Sequence, residues 1–383
     1  MNIVYVGAFR LPNYDAGASR VLNNAKLFKH IGHSVEFISW GGNYRHLDLC
    51  DDGLYRVNDS IYTITNELQS NGPFYSRLVS KLQRGRKSMK YLKNLSYTPE
   101  LIIMYNADLF FSLRLILYCK IHGIRLANDI NEWFSNSELH FPDMIFNKIN
   151  MQFVQNIVKN KIVISSFFNS YYKGNNLYLP PLFDFEDDKW SRFSHISNIP
   201  NFDGKTLIYA GTPYGKDCIE LVVETINICN SRIRLLVLGI TEQEYTKRIN
   251  KKFINKGNIF FIGRVSQEMV PSYYQIADFM ILLRKPNRKT TAGFPTKFME
   301  AFASGIPVLS NLTSDISNFL IDGITGFIIK NTNSESLQDV LHRIAGLKQQ
   351  EIQQLKKRVL DYRRRFEYHY YATNAKRFIS HLL

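Results

Sequence analysis

Residues Gly293 to Ser310, GFPTKFMEAFASGIPVLS, place an anion site and a carboxylate on one short helix. Gly293 and Pro295, on either side of Phe294, free a loop and set the first helical φ. Thr296 and Lys297 then stand in the opening turn, where unpaired N–H groups and the helix dipole attract anions. Glu300 follows Thr296 by four residues and Lys297 by three, so all three share neighbouring helix surface. A phosphate at the helix start and a ribose diol one turn deeper suit that arrangement; the same spacing also suits an exposed ion pair. Gly305 ends the helix in a left-handed cap, and Ile306 to Leu309 read as a buried parallel strand.

Around this block, short β-rich apolar runs alternate with helical stretches, which argues a parallel α/β architecture. One set of runs comprises Ile3 to Phe9, Val35 to Trp40, Leu101 to Asn106, Arg125 to Ile130 and Lys161 to Ser165. A second comprises Leu207 to Gly211, Arg234 to Ile240, Ile259 to Gly263, Phe279 to Arg284, Ile306 to Ser310 and Gly326 to Lys330. The polar, proline-marked segment Leu179 to Asp203 separates them and reads as a linker. Two Rossmann-like domains follow, 1–184 and 200–350, with helices at 351–383 returning to the first. Ligands of such sheets bind beyond the carboxyl ends of the strands.

The chain has 383 residues, enough for two cores, and a net charge of +15, which draws it toward phosphates of some kind: nucleotide, anionic lipid or nucleic acid. No stretch approaches the roughly 20 apolar residues of a membrane span, and MNIVYVGAF reads as a strand with no signal peptide before it, so a cytoplasmic location is expected. Cys50, Cys119, Cys218 and Cys229 match no metal pattern and read as reduced thiols. Pro73 to Lys93 carries Arg77, Lys81, Arg84, Arg86, Lys87, Lys90 and Lys93 without an acid, while Leu78, Leu82, Met89 and Leu92 follow a helical seam broken at Gly85. That pattern suits a basic amphipathic helix on an anionic membrane, and equally a core-packed helix with a solvated basic face.

Other strand ends carry further candidates. The loop GAFRLPNYDAGASR leads through Gly17 into an anion-ready helix start, but it is not GxGxxG, and Glu36 lies mid-strand, which disfavours NAD. Gly211 and Thr212 open TPYGKD, where Lys216 faces the strand end as a point charge for a diphosphate; with Lys297 it describes a two-lysine clamp. Asp129 and Glu132, in NDINEWF, orient or deprotonate a hydroxyl, or else cap the next segment. The acids of FDFEDDKW, Asp184 to Asp188, read as a solvated turn and not a metal site.

These segments resemble the retaining glycosyltransferases of family 4, which have the GT-B fold of two Rossmann-like domains facing a central cleft. The likeness rests on the loop ending at Gly17, LPPLFD, GTPYGKD, FFIGRVS, GFPTKFMEAFASGIPVL and IDGITGF. It implies that Lys216 contacts a donor diphosphate, that Glu300 holds the nucleotide ribose, and that Gly263, Arg264 and Val265 border the base. It also implies that backbone at Gly293, Phe294, Pro295, Thr296 and Lys297 holds phosphate, and that Gly17 lets the first domain approach the donor sugar. Two family positions differ: Thr212 stands where an Arg follows the Gly, and Ala292 where a first Glu precedes the second by eight residues. Lys297 and the Gly293 and Phe294 backbone are expected to compensate.

The resemblance thus implies a metal-independent hexosyltransferase without cofactor, working with retention in surface polysaccharide (capsule or lipopolysaccharide) synthesis. Its partners are a nucleotide diphosphate sugar and a glycan or polyprenyl-diphosphate-linked acceptor, at the inner face of the plasma membrane and without nucleic acid. Lys216, Lys297 and Asp129 are the expected catalytic groups. The alternative is a non-catalytic GT-B scaffold binding nucleic acid or a regulatory ligand, or an epimerase of nucleotide sugars.

Overall fold

A computed structural model describes residues 1–11, 15–42, 55–57, 60–65, 67, 73–134, 139, 141–187, 190, 193–196, 199–212, 215–229, 232–250 and 253–382. Pro12 to Tyr14 of the first loop, Asp188, and Pro213 and Tyr214 of the TPYGKD segment lie outside them. The chain forms two compact units, Met1–Leu182 with Tyr368–Leu383, and Phe183–Glu367.

The first unit is built on β1 (Asn2–Leu11), β2 (Ser34–Gly42), β3 (Tyr55–Val57), β4 (Ser60–Ile64), β5 (Leu101–Tyr105), β6 (Arg125–Ile130), β7 (Asn160–Val163) and β8 (Asn175–Tyr178). They form one sheet in the order β3-β4-β2-β1-β5-β6-β7-β8, parallel except for the β3/β4 pair. β5, LIIMY, is buried along its whole length, as a central strand covered on both faces must be. The sequence runs do not disclose β3, β4 and β8: these are short edge-side strands with too few apolar residues to stand out from loop.

Helix α1 (Ala16–His30) starts at Asp15, whose carboxylate accepts from the Ala18 amide at 2.8 Å. That carboxylate already occupies the helix start read from sequence as ready for an anion. The basic segment divides into α2 (Phe74–Gln83) and α3 (Arg86–Lys93) at Gly85, whose φ is +84° and whose missing Cβ would lie 2.1 Å from the Phe111 ring. The seam residues Met89 and Leu92 are buried with Trp40 and Phe111, so this face of α3 belongs to the core. Arg77, Arg86, Lys87, Lys90 and Lys93 are exposed, but Lys81 pairs with Asp143, and Arg84 pairs with Asp108 at 2.9 Å. Helix α4 (Leu109–His122) is capped by Asp108 and stopped by left-handed Gly123. No described helix is long and apolar enough to cross a membrane.

Asp129, read as a cleft-edge acid, is instead a core hub. Its carboxylate is 0% exposed and accepts from Arg20 at 2.7 Å, Asn24 at 3.1 Å and the Tyr5 hydroxyl. Arg20 also donates to the Leu179 carbonyl at 3.0 Å, which straps the start of the expected linker to α1. Every lone pair is in use, so we assign Asp129 a structural role.

The second unit contains β9 (Lys205–Ala210), β10 (Ile233–Leu238), β11 (Ile259–Gly263), β12 (Phe279–Leu282), β13 (Val308–Ser310) and β14 (Gly326–Ile328), parallel and in the order β11-β10-β9-β12-β13-β14. Helix α5 (Thr296–Ala303) follows the loop at Gly293. It ends at Ser304 with Gly305 left-handed at φ +74°, and the Ile306 amide returns to Ala301 at 2.9 Å. Helix α6 (Gln349–Tyr362) stays in this unit because Ile352 and Leu355 are buried in its core. Only from Tyr368 does the chain join the first unit, where helix α7 (Ala372–Ser380) buries Ala375, Phe378 and Ile379 beside α1. The expected return at 351 is therefore displaced, since the apolar seam of α6 fits the second core.

Removing the charge of Asp129 while keeping its shape leaves Arg20 buried without a counter-charge. Asp129→Asn is expected to lower the stability of the first unit by about 3–5 kcal/mol in urea unfolding. A loss below about 1 kcal/mol would refute the hub.

Candidate functional site

In the second unit the strand order reverses between β9 and β12, and open α/β sheets bind ligands at such a switch point. The residues gathered there come from one strand, two loops and the start of one helix. Tyr209 projects near the end of β9, Asp217 follows in the next loop, Arg284 closes the run after β12, and Lys297 stands in the first turn of α5. The Lys297 ammonium lies 2.5 Å from one Asp217 oxygen and 2.7 Å from the Tyr209 hydroxyl, and 4.3 Å from the centre of the Tyr209 ring. Tyr209 also donates to Asp217 at 2.8 Å, and Arg284 Nε lies 3.3 Å from the other carboxylate oxygen.

Burial alone would raise the Asp217 carboxyl, but the Lys297 ammonium, with help from Arg284, outweighs it and holds the group below the usual carboxylate range. Burial lowers the Lys297 ammonium despite the carboxylate beside it. Two cations thus face one anion, leaving a net positive charge at a strand end. Lys297 retains 19% side-chain exposure and Asp217 9%, against 3% and 0% for Arg20 and Asp129. Of the two buried charge clusters, the one at Lys297 is the more open to solvent.

The local sequence builds this geometry. Phe294 is buried against Phe319 and Phe366, and Phe298 stacks on Phe302 at 4.5 Å, so aromatic packing fixes the start of α5. Pro295 precedes the helix and no side chain caps it; the Phe298 amide returns to the Pro295 carbonyl at 3.1 Å, and the Thr296 and Lys297 amides stand at the helix start, where an outside acceptor would bind. Gly211 has φ +127°, and an added Cβ would lie 2.4 Å from Lys297 Cε, so the lysine stem passes where a side chain would otherwise stand.

The sequence candidates fall in different places. Thr212 and Lys216 lie on the loop after β9, and the Lys216 carbonyl accepts from the Lys285 amide at 3.3 Å, seating that loop against the end of β12. The expected clamp of two lysines is modified: the neighbour of Lys216, Asp217, inserts a carboxylate between Lys297 and Arg284. Gly293, Phe294, Pro295 and Thr296 surround the start of α5, with Glu300 half-buried one turn on and Ala292 buried. Gly263 ends β11 and Arg264 and Val265 follow it, two strands from β9 and so roughly 10 Å across the sheet; Arg264 is 78% exposed. Gly17 belongs to the first unit, where a Cβ would meet the Tyr105 hydroxyl at 3.0 Å. Asp184 is 8% exposed and accepts from the Glu186 amide at 2.9 Å, while Glu186 is exposed and Asp187 half-buried, so the turn is packed at its first acid and solvated beyond it.

Tyr209, Asp217 and Arg284 are not among the residues that the sequence motifs single out. An arginine closing the apolar run FMILLR was the available signal, because a cation at a buried strand end needs a counter-charge. The first unit carries a separate cavity of about 220 Å³ at the ends of β5 and β6, lined among others by Asn106, Asp108, Glu132 and Asn150.

Replacing Gly211 tests how tightly Lys297 is threaded. Gly211→Ala is expected to cost about 1–3 kcal/mol in the second unit, and in Gly211→Ala/Lys297→Ala the two losses should fall short of additivity by at least about 0.5 kcal/mol. Strict additivity by denaturant titration would refute the contact.

Residues 194–362 match the sequence pattern of the family described as Glycosyl transferases group 1. The lipopolysaccharide 1,2-N-acetylglucosaminetransferase of Salmonella typhimurium is 28% identical over 153 residues, which take in 37% of this chain and 39% of that protein. The sucrose-phosphate synthase of Thermosynechococcus elongatus superposes with a TM-score of 0.71 at 13% identity, covering 100% of this chain and 98% of that one. HepE of Anabaena, solved in complex with UDP and glucose, gives 0.70 at 12% identity with 99% of both chains covered. WaaB, a lipopolysaccharide outer core galactosyltransferase, gives 0.63 at 15% identity over 100% of both chains. The chain therefore has the GT-B fold, and residues 194–362 of its second unit are similar to the glycosyl transferases group 1 family.

Proposed function

We propose that this protein is a metal-independent retaining glycosyltransferase of family 4 that moves a hexose-type sugar from a nucleotide diphosphate donor to a glycan or lipid-linked glycan in surface polysaccharide synthesis. The reading is carried by the cluster of Lys297, Arg284 and Asp217 beside the uncapped start of α5, inside the glycosyl transferases group 1 domain. The relation to a lipopolysaccharide N-acetylglucosaminyltransferase supports the biosynthetic setting.

The donor diphosphate takes the cationic site at Lys297, with the α5 amides and Lys216 as further donors, and Glu300 accepts from the ribose hydroxyls. Arg284 supplies from the neighbouring strand the charge that Thr212 lacks. As the bond from the anomeric carbon to the diphosphate oxygen breaks, both electrons go to that oxygen, and Lys297 stabilises the charge as it develops. The acceptor oxygen bonds to the anomeric carbon on the same face, and its proton passes to the departing phosphate, so no side-chain base is needed. Asp129, being sealed in the core, takes no part. The cavity at Glu132 combines amides and carboxylates with the apolar surfaces of Phe110, Phe134, Phe146 and Met151, a mixture that suits the hydroxyls and ring faces of an acceptor sugar. The exposed cations Arg77, Arg86, Lys87 and Lys90 favour residence at an anionic cytoplasmic membrane face.

Screening nucleotide sugars by thermal shift, then following nucleoside diphosphate release, tests the reading. A true donor raises the melting temperature by mass action and is consumed only with an acceptor. Glu300→Ala is expected to weaken donor binding about 10-fold or more, through loss of charge-assisted hydrogen bonds. Lys297→Met is expected to lower kcat by about 100-fold or more. Unchanged donor affinity in the first variant removes the ribose contact, and unchanged turnover in the second removes the phosphate site.

A further inference from the structure

We propose that the cavity at the ends of β5 and β6 selects an N-acetylated hexosamine, and that the Asn128 and Asn106 side-chain amides pair with its acetamido group. The inference rests on the proposed function, in which this cavity receives the acceptor sugar, and names the substituent by which that sugar is chosen.

The floor of the cavity is a line of buried amides on the face of the sheet opposite Arg20. Side chains alternate along a strand, so Asp129 turns to the Arg20 face and Asn128 to the other, where the helical segment after Pro142 packs. That segment runs through Asp143–Ile149 and Gln155–Ile157, and between them Asn150–Val154 widens into a π-turn, with hydrogen bonds five residues apart. In an α-helix residues five apart diverge by about 140°. The wider turn brings Asn150 and Gln155 to one side, and Gln155 Nε2 donates to Asn150 Oδ1 at 3.1 Å. Asn150 donates in turn to the Ala107 carbonyl at 2.8 Å, and Asn128 donates to Gln155 Oε1.

The line is left open at one end. Asn128 is 2% exposed, and its Oδ1 has no partner among the described residues. Leaving such an oxygen unpaired costs about 1–3 kcal/mol, which a donor entering the cavity offsets. Asn106, also in the lining, follows β5 in the left-handed region at φ +44°, its backbone amide seated on the Asp129 carbonyl at 3.3 Å. Its half-buried side chain makes no hydrogen bond among the described residues. The cavity thus offers one acceptor and one donor, the complement of an acetamido N–H and C=O.

The remaining lining selects the acetyl group over other substituents. Phe110 and Phe146 meet edge to face at 5.1 Å, and Ile130 and Met151 are buried beside the amides. An acetyl methyl covers such a surface, whereas a hydroxyl would satisfy Asn128 and leave the rings wet. A free amine would arrive as an ammonium and lose solvation among neutral amides. Lys81 and Arg84 at the rim are paired with Asp143 and Asp108, so an anionic substituent gains little there. At about 220 Å³ the space is below the roughly 300–1,000 Å³ of sites for drug-sized ligands, which suits a single sugar residue.

Titration of the full chain with methyl glycosides, followed by ligand-observed NMR, tests the assignment. The methyl glycosides of N-acetylglucosamine and N-acetylgalactosamine are expected to bind about 10-fold or more tighter than those of glucose and galactose. Asn128→Leu removes the acceptor and Asn106→Gly the donor, and glycine keeps the left-handed backbone without strain. Each should cut the preference for the acetylated sugars about 5-fold or more, with affinity for the plain ones held within about 2-fold.

Equal affinity of the wild-type chain for acetylated and plain glycosides overturns the acetamido assignment and leaves the acceptor cavity standing. If no glycoside binds, the cavity loses its place in the proposed function and the assignment falls with it, while nucleoside diphosphate release reads the donor half of that function separately. A preference that survives Asn106→Gly overturns the assignment, and this variant decides should Asn128→Leu fail to fold.

Discussion

The contact between Lys297 and Asp217 is the constraint on which the second unit's chemistry depends. Placing an ammonium and a carboxylate at a half-closed strand end costs solvation, and their attraction repays it only with good geometry and further hydrogen bonds. Tyr209 supplies those bonds, accepting from Lys297 and donating to Asp217, and Arg284, 3.3 Å from the carboxylate, adds a second cation. A carboxylate in this position has a double consequence. It holds two cations at the strand end, and under the proposed function it is the group with which a donor phosphate competes.

The first unit contains a similar set, with Tyr5 on its central strand, Asp129 two strands away and Arg20 on the first helix. There the set is sealed, and its role is to lock α1 and the Leu179 carbonyl to the sheet. The same residue types thus give rigidity in one place and an addressable site in the other, and solvent access decides between them. Around Lys297 that access is held open by backbone: Gly211 leaves room for the lysine stem, and Phe294 and Phe298 anchor the helix from behind.

Much of this was legible in the chain. Both parallel sheets are legible because central strands, buried on two faces, read as continuous apolar runs, as in LIIMY and FMIL. The helix after GFPTK and its glycine cap could be read because proline, glycine and helix periodicity are local signals. Short edge strands such as NNLY carry too little apolar signal, and they went unread. Asp129 misled because a carboxylate at a strand end looks the same in sequence whether it faces solvent or a buried arginine 109 positions away. Arg284 was overlooked for the same reason: its partner, Asp217, is brought to it by the sheet order and by no spacing in the chain. Lys81 and Arg84 counted as free charge until the fold supplied their acids.

What happens at Lys297 when a nucleoside diphosphate arrives therefore decides the proposed function. The most direct measurement is a crystal structure of the chain with a bound nucleoside diphosphate. The account predicts a phosphate oxygen about 3 Å from Lys297 Nζ, beside the first amides of α5, with the Asp217 contact loosened or shared. A nucleotide seated elsewhere, with the contact between Lys297 and Asp217 intact, would contradict it.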